Sequence, residues 1–191
     1  MKTTSREVLV ILLIFANSFA LIMVTIISGT NRVGSNTRKI AQYYYDALKL
    51  ELKDVHFISL EDFECHWRSE DLVKIEKELL IPTETFLFVM PEYNGTFPGI
   101  LKTFVDNTDI RKAWWFKKAM IVGLADGRGG NLRGIDQWTN VLHYLKMMVH
   151  HNKLPLSNIS KSLNADGSFK KIALKSEVDS QIEDFIEFST K

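Results

Sequence analysis

At 191 residues with 46% hydrophobic content, the chain can bury one core, and no change of composition marks a second. Its 24 Lys and Arg stand against 23 Asp and Glu, a formal charge of +1, so no global field recruits nucleic acid or an acidic partner. The single cysteine, Cys65, excludes an internal disulfide and a Cys-rich metal site, which suits a reducing, cytoplasmic setting. His66 adjoins it, but no further ligand gathers around the pair.

Lys2 and Arg6 precede an apolar run, Val8 to Ile27, of about bilayer-spanning length, and Ser18 and Ala20 resemble a cleavage site. From Leu21, however, LIMVTIIS reads as a fully buried parallel strand entering a polar loop. One segment cannot serve both purposes, since inserting the whole run would take the first strand from the domain. The favoured reading makes 1-22 an extension from an earlier start and 23-191 a single domain. A weak signal or membrane anchor in 1-22 is the alternative, and a membrane role is the weaker reading.

After the first loop, Ile40, Tyr44, Ala47 and Leu48 recur at helical spacing, with Ser35 or Asn36 as cap. Asp54 to Leu60 is a second strand, and Ser69 to Leu80 a second helix with a Leu72, Ile75, Leu79 stripe. Thr85 to Met90, between Pro82 and Pro91, reads as a central strand. PGILKTFVDN from Pro98 predicts a third helix with Ile100, Phe104 and Val105 on one face. Lys118 to Ala125 is a fourth strand, and Ile135 to Met148 a fourth helix with Ile135, Trp138, Leu142 and Leu145 inward. Leu154 to Ile159 is the fifth strand, and IEDFIEF from Ile182 the last helix.

This alternation predicts an α/β fold, a doubly wound five-stranded parallel sheet of order 2-1-3-4-5 between two helical layers. Ligands of such sheets bind beyond the strand carboxyl ends, where the strand order reverses. The unusual loops follow strands one, three and four. The first, GTNRVGSNT, offers backbone N–H groups at a helix start, hydroxyls of Thr30, Ser35 and Thr37, the Asn36 amide and the Arg32 guanidinium, all suited to an anion. It matches neither the triphosphate-binding nor the dinucleotide glycine pattern. The second, PEYNG, sets Pro91, Glu92, Tyr93, Asn94 and Gly95 at a strand end, where a ring can pack on Tyr93 and backbone can approach a flat ligand. The third holds Asp126, Gly127, Gly129 and Gly130, with Arg128 and Arg133 able to meet a second anion. A turn and helix cap account for the first loop without any ligand. No nucleophile-base pair or paired carboxylates stand out, and the histidines read as structural or surface residues.

GTNRVGSNT, PEYNGTFPGILKTFVDN and GLADGRGGNLRG, in that order, resemble the NADPH-dependent FMN reductase family, which includes azoreductases and chromate and quinone reductases. The resemblance covers about Met23 to Lys191, and PEYNG followed by PG and LK is its most specific part. It implies a flavodoxin-like fold and non-covalent FMN. The phosphate would lie on Thr30, Arg32, Ser35, Asn36 and Thr37, the ring on Pro91 to Gly95, and the backbone of Asp126 to Gly130 would flank it. It further implies NADPH or NADH as co-substrate, with Arg128 or Arg133 reading the extra phosphate, a small-molecule electron acceptor, and a homodimer or homotetramer. Catalysis would then rest on flavin N5 and on no side-chain acid or base. A flavodoxin-type electron carrier and a flavin-less binding or regulatory module on the same fold are the rival readings.

Overall fold

The computed structural model describes residues 22–191. The reading of 1-22 as an extension, signal or anchor lies outside that range except at Ile22. Strands β1 (Met23–Ser28), β2 (Asp54–Ser59), β3 (Thr85–Pro91), β4 (Lys118–Leu124) and β5 (Met148–Val149) form a parallel sheet in the order β2-β1-β3-β4-β5. Two short strands, β5 (Met148–Val149) and β6 (Leu154–Leu156), both pair with β4. The expected topology is therefore present, with a sixth strand added.

Alternation along the strands builds two cores, which is why the central strands read as unbroken apolar runs. Val24, Ile26, Leu87, Val89, Met120 and Val122 face one side, under α1 (Asn36–Glu51) and the C-terminal helix α7 (Ile172–Thr190). The two helices are joined where the buried Tyr44 hydroxyl donates to Gln181 Oε1 at 2.5 Å. Ile27, Phe86, Phe88 and Ile121 face the other side, with Trp114 and Trp138. Over them lie α2 (Glu70–Ile75), α3 (Gly99–Asp106) and α5 (Leu132–Tyr144).

Several boundaries differ from expectation, each for a visible reason. The second helix is α-helical only to Ile75 and continues as a wider turn, Glu76–Leu80, closed by Ile81 N donating to Glu76 O at 2.8 Å. Its pivot, Glu76, is held by the Arg68 guanidinium and by the Asp109 N–H. In α3 the buried face is Leu101, Phe104 and Val105, whereas Ile100 is only half-buried. Residues 101, 104 and 105 stand at i, i+3 and i+4 and so share one stripe.

The edge strand is broken because residues 150–153 are gripped by α7. There Gln181 Nε2 donates to Asn152 O at 2.9 Å, and Asn152 Nδ2 to Asp184 at 2.6 Å. Asn158, at φ 52, then turns the chain into the short α6 (Ile159–Ser162), so the strand ends well before Ile159. The last helix begins at Ile172 instead of Ile182. Its buried stripe includes Gln181 and Ser189, which hide it from a hydrophobicity pattern. A short α4 (Ile110–Ala113), capped by Asp109, was not expected.

Candidate functional site

Parallel pairing brings the ends of β1, β3 and β4 to one edge, with Ser28 beside Val89 and Pro91 beside Leu124. Backbone bonds carry the ladder past the strand ends and set the exit of each loop. Gly29 N donates to Val89 O at 2.8 Å, Glu92 N to Leu124 O at 2.7 Å, and Ala125 N to Leu156 O at 3.0 Å. The loops expected to bind are thus neighbours at the point of strand reversal.

Thr30 is fully buried, and its hydroxyl lies 2.5 Å from the Tyr93 hydroxyl. Arg32 N donates to Thr30 Oγ1 at 3.3 Å, and the Arg32 guanidinium stacks 4.1 Å from the centre of the Tyr93 ring. The first and second loops are therefore locked together by polar and cation–π contacts. The Ser35 oxygen caps α1 by accepting from Arg38 N at 3.1 Å, while its O–H can still donate outward. The first-turn N–H groups of Asn36 and Thr37 have no acceptor within the helix, and that turn contains no acidic residue. A helix start of this kind favours an anion.

Tyr93 to Thr96 form a tight hairpin, with Tyr93 N to Thr96 O at 2.8 Å and Thr96 N to Tyr93 O at 3.2 Å. Asn94 at φ 52 and Gly95 at φ 83 match the Asn-Gly turn in which both central residues are left-handed. Asn94 is exposed at the tip, and Pro91, Glu92 and Tyr93 are half-buried below it.

In the third loop, Asp126 Oδ1 accepts from Ser160 N at 2.9 Å, and the Ser160 hydroxyl accepts from Asn36 Nδ2 at 3.1 Å. The bonds from Ser160 hold the Asp126 carboxyl below its ordinary range. Asp126 Oδ1 and the Asn36 amide nitrogen thus act as a tie between loops through the start of α6. Gly130 is buried against the Pro155–Leu156 backbone, whereas Gly127 and Gly129 are exposed, with open space where a side chain would project. Arg128 and Arg133 are exposed on the same rim.

Sequence reasoning passed over three residues here. Asn131 is fully buried at φ 72, donates from Nδ2 to Met90 O at 3.1 Å, and so binds the end of β3 to the start of α5. Its conformation is what starts α5 at Leu132 instead of Ile135, and a left-handed Asn after a Gly pair was the available signal. Asn31 and His66 line a cleft of about 370 Å³ with Tyr93, Pro98, Gly99, Ile100 and Thr103. His66 comes from the loop after β2 and pairs through Nδ1 with Glu64, a placement with no sequence signal. Its neighbour Cys65 turns into the core, where burial pushes the thiol up to about 11. A larger cavity of about 600 Å³ lies outside α1, against Asp166 to Phe169, and contains none of the expected site residues.

Solved structures share this fold. FerB, a flavoenzyme NAD(P)H:acceptor oxidoreductase from Paracoccus denitrificans, is 19% identical, with 87% of this chain and 96% of that one covered and a TM-score of 0.67. The apo form of an NADH:FMN oxidoreductase, EMOB, is 16% identical, with 88% of each chain covered and a TM-score of 0.68. A flavodoxin from the domain Archaea is 14% identical over 88% of this chain and 99% of its own, with a TM-score of 0.60. A search among curated proteins finds no match. Residues 22–160, most of the chain and all three loops, match the family model for NADPH-dependent FMN reductase, and the chain therefore belongs to that family.

Proposed function

We propose that this flavin oxidoreductase binds FMN across the crevice and uses NADPH or NADH to reduce a small acceptor. The observation that carries the reading is the start of α1, with free amides, hydroxyls and Arg32 and no acid in its first turn, beside an aromatic hairpin at the strand reversal. The residues present fit a monophosphate with a flat ring attached. Arg32, the Ser35 and Thr37 hydroxyls and the backbone N–H of Asn36 would hold the phosphate, and the buried Thr30 would support them through its bonds to Tyr93 and Arg32 N. Pro91 to Gly95 would flank the ring on one side, with the backbone of Gly127 and Gly129 on another. Asp126 and Gly130 would contribute by fixing the third loop.

The chemistry FMN supplies when bound is acceptance of hydride at N5 from a reduced nicotinamide and its return to a quinone, azo compound, metal oxyanion or flavin. This chain's residues bind, orient and exclude water, which is the share of catalysis left to the protein in a cofactor enzyme. Arg128 and Arg133, both exposed, would meet the extra phosphate of NADPH. Assembly as a homodimer or homotetramer belongs to the same reading.

The test is reconstitution with FMN, followed by anaerobic titration with NADPH and NADH and reoxidation by a panel of acceptors. Expected are a bound flavin spectrum, bleaching by reduced nicotinamide and recovery with at least one small acceptor. Failure to take up FMN would refute the cofactor assignment. Uptake without bleaching by either nicotinamide would move the protein to the electron carriers.

A further inference from the structure

Opposite the crevice, the amino edge of the sheet carries an exposed group of aromatic, apolar and basic side chains. Met23, Lys118 and Met148 begin their strands there, and α4 and the end of α5 adjoin them. Phe116 is 76% exposed, Tyr144 82% and Met148 61%. Trp115 packs edge-on against Phe116 with ring centres 6.1 Å apart. Lys146 Nζ lies 3.7 Å from the Trp115 ring centre and 5.4 Å from that of Phe116, and the Arg111 guanidinium lies 5.2 Å from Trp115. Met148 N donates to Lys117 O at 2.9 Å, which sets Met148 beside this group.

Packing within the fold does not account for the arrangement. Phe116 has φ 63, a left-handed conformation that a bulky aromatic rarely adopts, and the ring it holds in this way faces water. Lys146 is likewise left-handed, at φ 59. A strained backbone that presents an aromatic ring outward beside two cations has the composition of a membrane interface, where amphipathic rings sit at headgroup level.

The chain also enters β1 from this edge. Before Met23, the sequence runs from Val8 to Leu21 without a charge. Stable attachment to a bilayer surface generally takes two weak signals acting together. Here the exposed rings and the cations beside them supply both on one edge of the described residues.

We propose that the amino edge faces an anionic bilayer surface, held by Trp115, Phe116, Tyr144 and Met148 with Arg111 and Lys146. The crevice then opens away from the lipid, toward water-borne nicotinamide and acceptor. This reverses the weight that the sequence alone assigns to a membrane role, and it holds whatever cofactor the crevice takes. Charge favours lipid over a second copy of the chain, since pairing this face with itself would bring Arg111 and Lys146 against their own kind. Of the acids nearby, Asp109 is taken up by Lys112 at 3.7 Å. Glu84, between the starts of β1 and β4, stands beside the group.

The experiment is flotation of the full chain, synthesised with vesicles present, using phosphatidylcholine alone or mixed with phosphatidylglycerol. Wild type should float with the mixed vesicles several-fold better than with the neutral ones, and salt should weaken binding. Phe116→Asn, which suits the left-handed backbone, should keep or raise the thermal midpoint while lowering the bound fraction several-fold. Arg111→Glu with Lys146→Glu should remove the preference for anionic lipid. Equal flotation with both vesicle types, or Phe116→Asn floating like wild type, would overturn the proposal. So would light scattering in which Phe116→Asn, without lipid, splits an oligomer, because that result assigns the face to a second copy.

Discussion

Replacing Gly130 with alanine tests how the third loop is seated on the sheet. Gly130 has φ 54, and a Cβ there would lie 2.7 Å from the Pro155 carbonyl carbon and 2.9 Å from Leu156 N. Both atoms belong to β6, whose pairing with Val122–Leu124 prevents a cheap shift, and backbone cannot swing aside as a side chain does. Left-handed geometry costs an alanine about 1–2 kcal/mol, and overpacking adds about 1–3, so the expected loss is about 2–5 kcal/mol. Gly127, in the same loop, has nothing within 4 Å of its would-be Cβ, so Gly127→Ala should change stability by no more than about 0.5 kcal/mol. Urea unfolding followed by fluorescence of the buried Trp114 and Trp138 reads both values, provided the denaturant slope is unchanged. Gly127→Ala should nevertheless weaken FMN binding if the ring packs on this loop, separating binding from stability. Equal stability losses in the two variants would refute the seating argument.

Other expectations follow from the crevice and its supports. Arg32→Ala should weaken FMN binding about 10- to 100-fold, the equivalent of one charge-assisted bond, and Arg128→Ala by less; equal or reversed losses in a fluorescence titration would displace the phosphate from the first loop. Tyr93→Phe should cost about 1–2 kcal/mol by leaving the buried Thr30 hydroxyl without its 2.5 Å partner. Adding Thr30→Val should recover part of that loss, whereas strictly additive losses would show that the hydroxyls are not coupled. Glu76→Gln should destabilise by about 2 kcal/mol near pH 7, a value discounted because Arg68 is half-exposed. The Arg68 bond holds the Glu76 carboxyl below its ordinary 4.5, so its contribution is complete above that value and fades as pH falls through the lowered one. The gap between wild type and variant should therefore narrow in acid; a constant gap would exclude ionisation as its source.

Much of the fold was legible because buried parallel strands write themselves as apolar runs. MVTIIS and TFLFVM are both almost wholly interior and were found nearly to the residue. Elements held by polar contacts were not legible. The break in the edge strand depends on Gln181 and Asn152, and the widened turn at Glu76 on Arg68 and Asp109, pairs remote or irregular in sequence. The start of α7 was hidden because its inward stripe includes Gln181 and Ser189. At the site, the loops could be placed from strand order, but the division of roles within them could not. Ser35 and Asn36 read alike in sequence. In the fold one caps α1 and keeps a free O–H, while the other gives its amide to Ser160. His66 was invisible because its loop follows β2, away from the strand reversal, and reaches the cleft only through tertiary packing.

The ties between the loops bear on how the crevice works. Thr30 and Arg32 hold the first loop to Tyr93, the Asn36–Ser160–Asp126 chain holds it to the third, and Asn131 holds the third to the end of β3. Each loop is thus braced by both others through contacts that need no ligand, so the frame exists before anything binds, and little ordering entropy is left for binding to overcome. Exposed on that frame are Asn31, Arg32, Val33, Gly34, Asn94 and Asp126 to Gly129. A change at a tie should lower FMN affinity and thermal stability together, because it loosens the frame. A change at an exposed position such as Asn31 should alter the choice among acceptors while leaving the melting temperature in place. The two kinds of variant should therefore separate on a plot of affinity against stability, and a single line through both would mean that the crevice is ordered by its ligand and not by these ties.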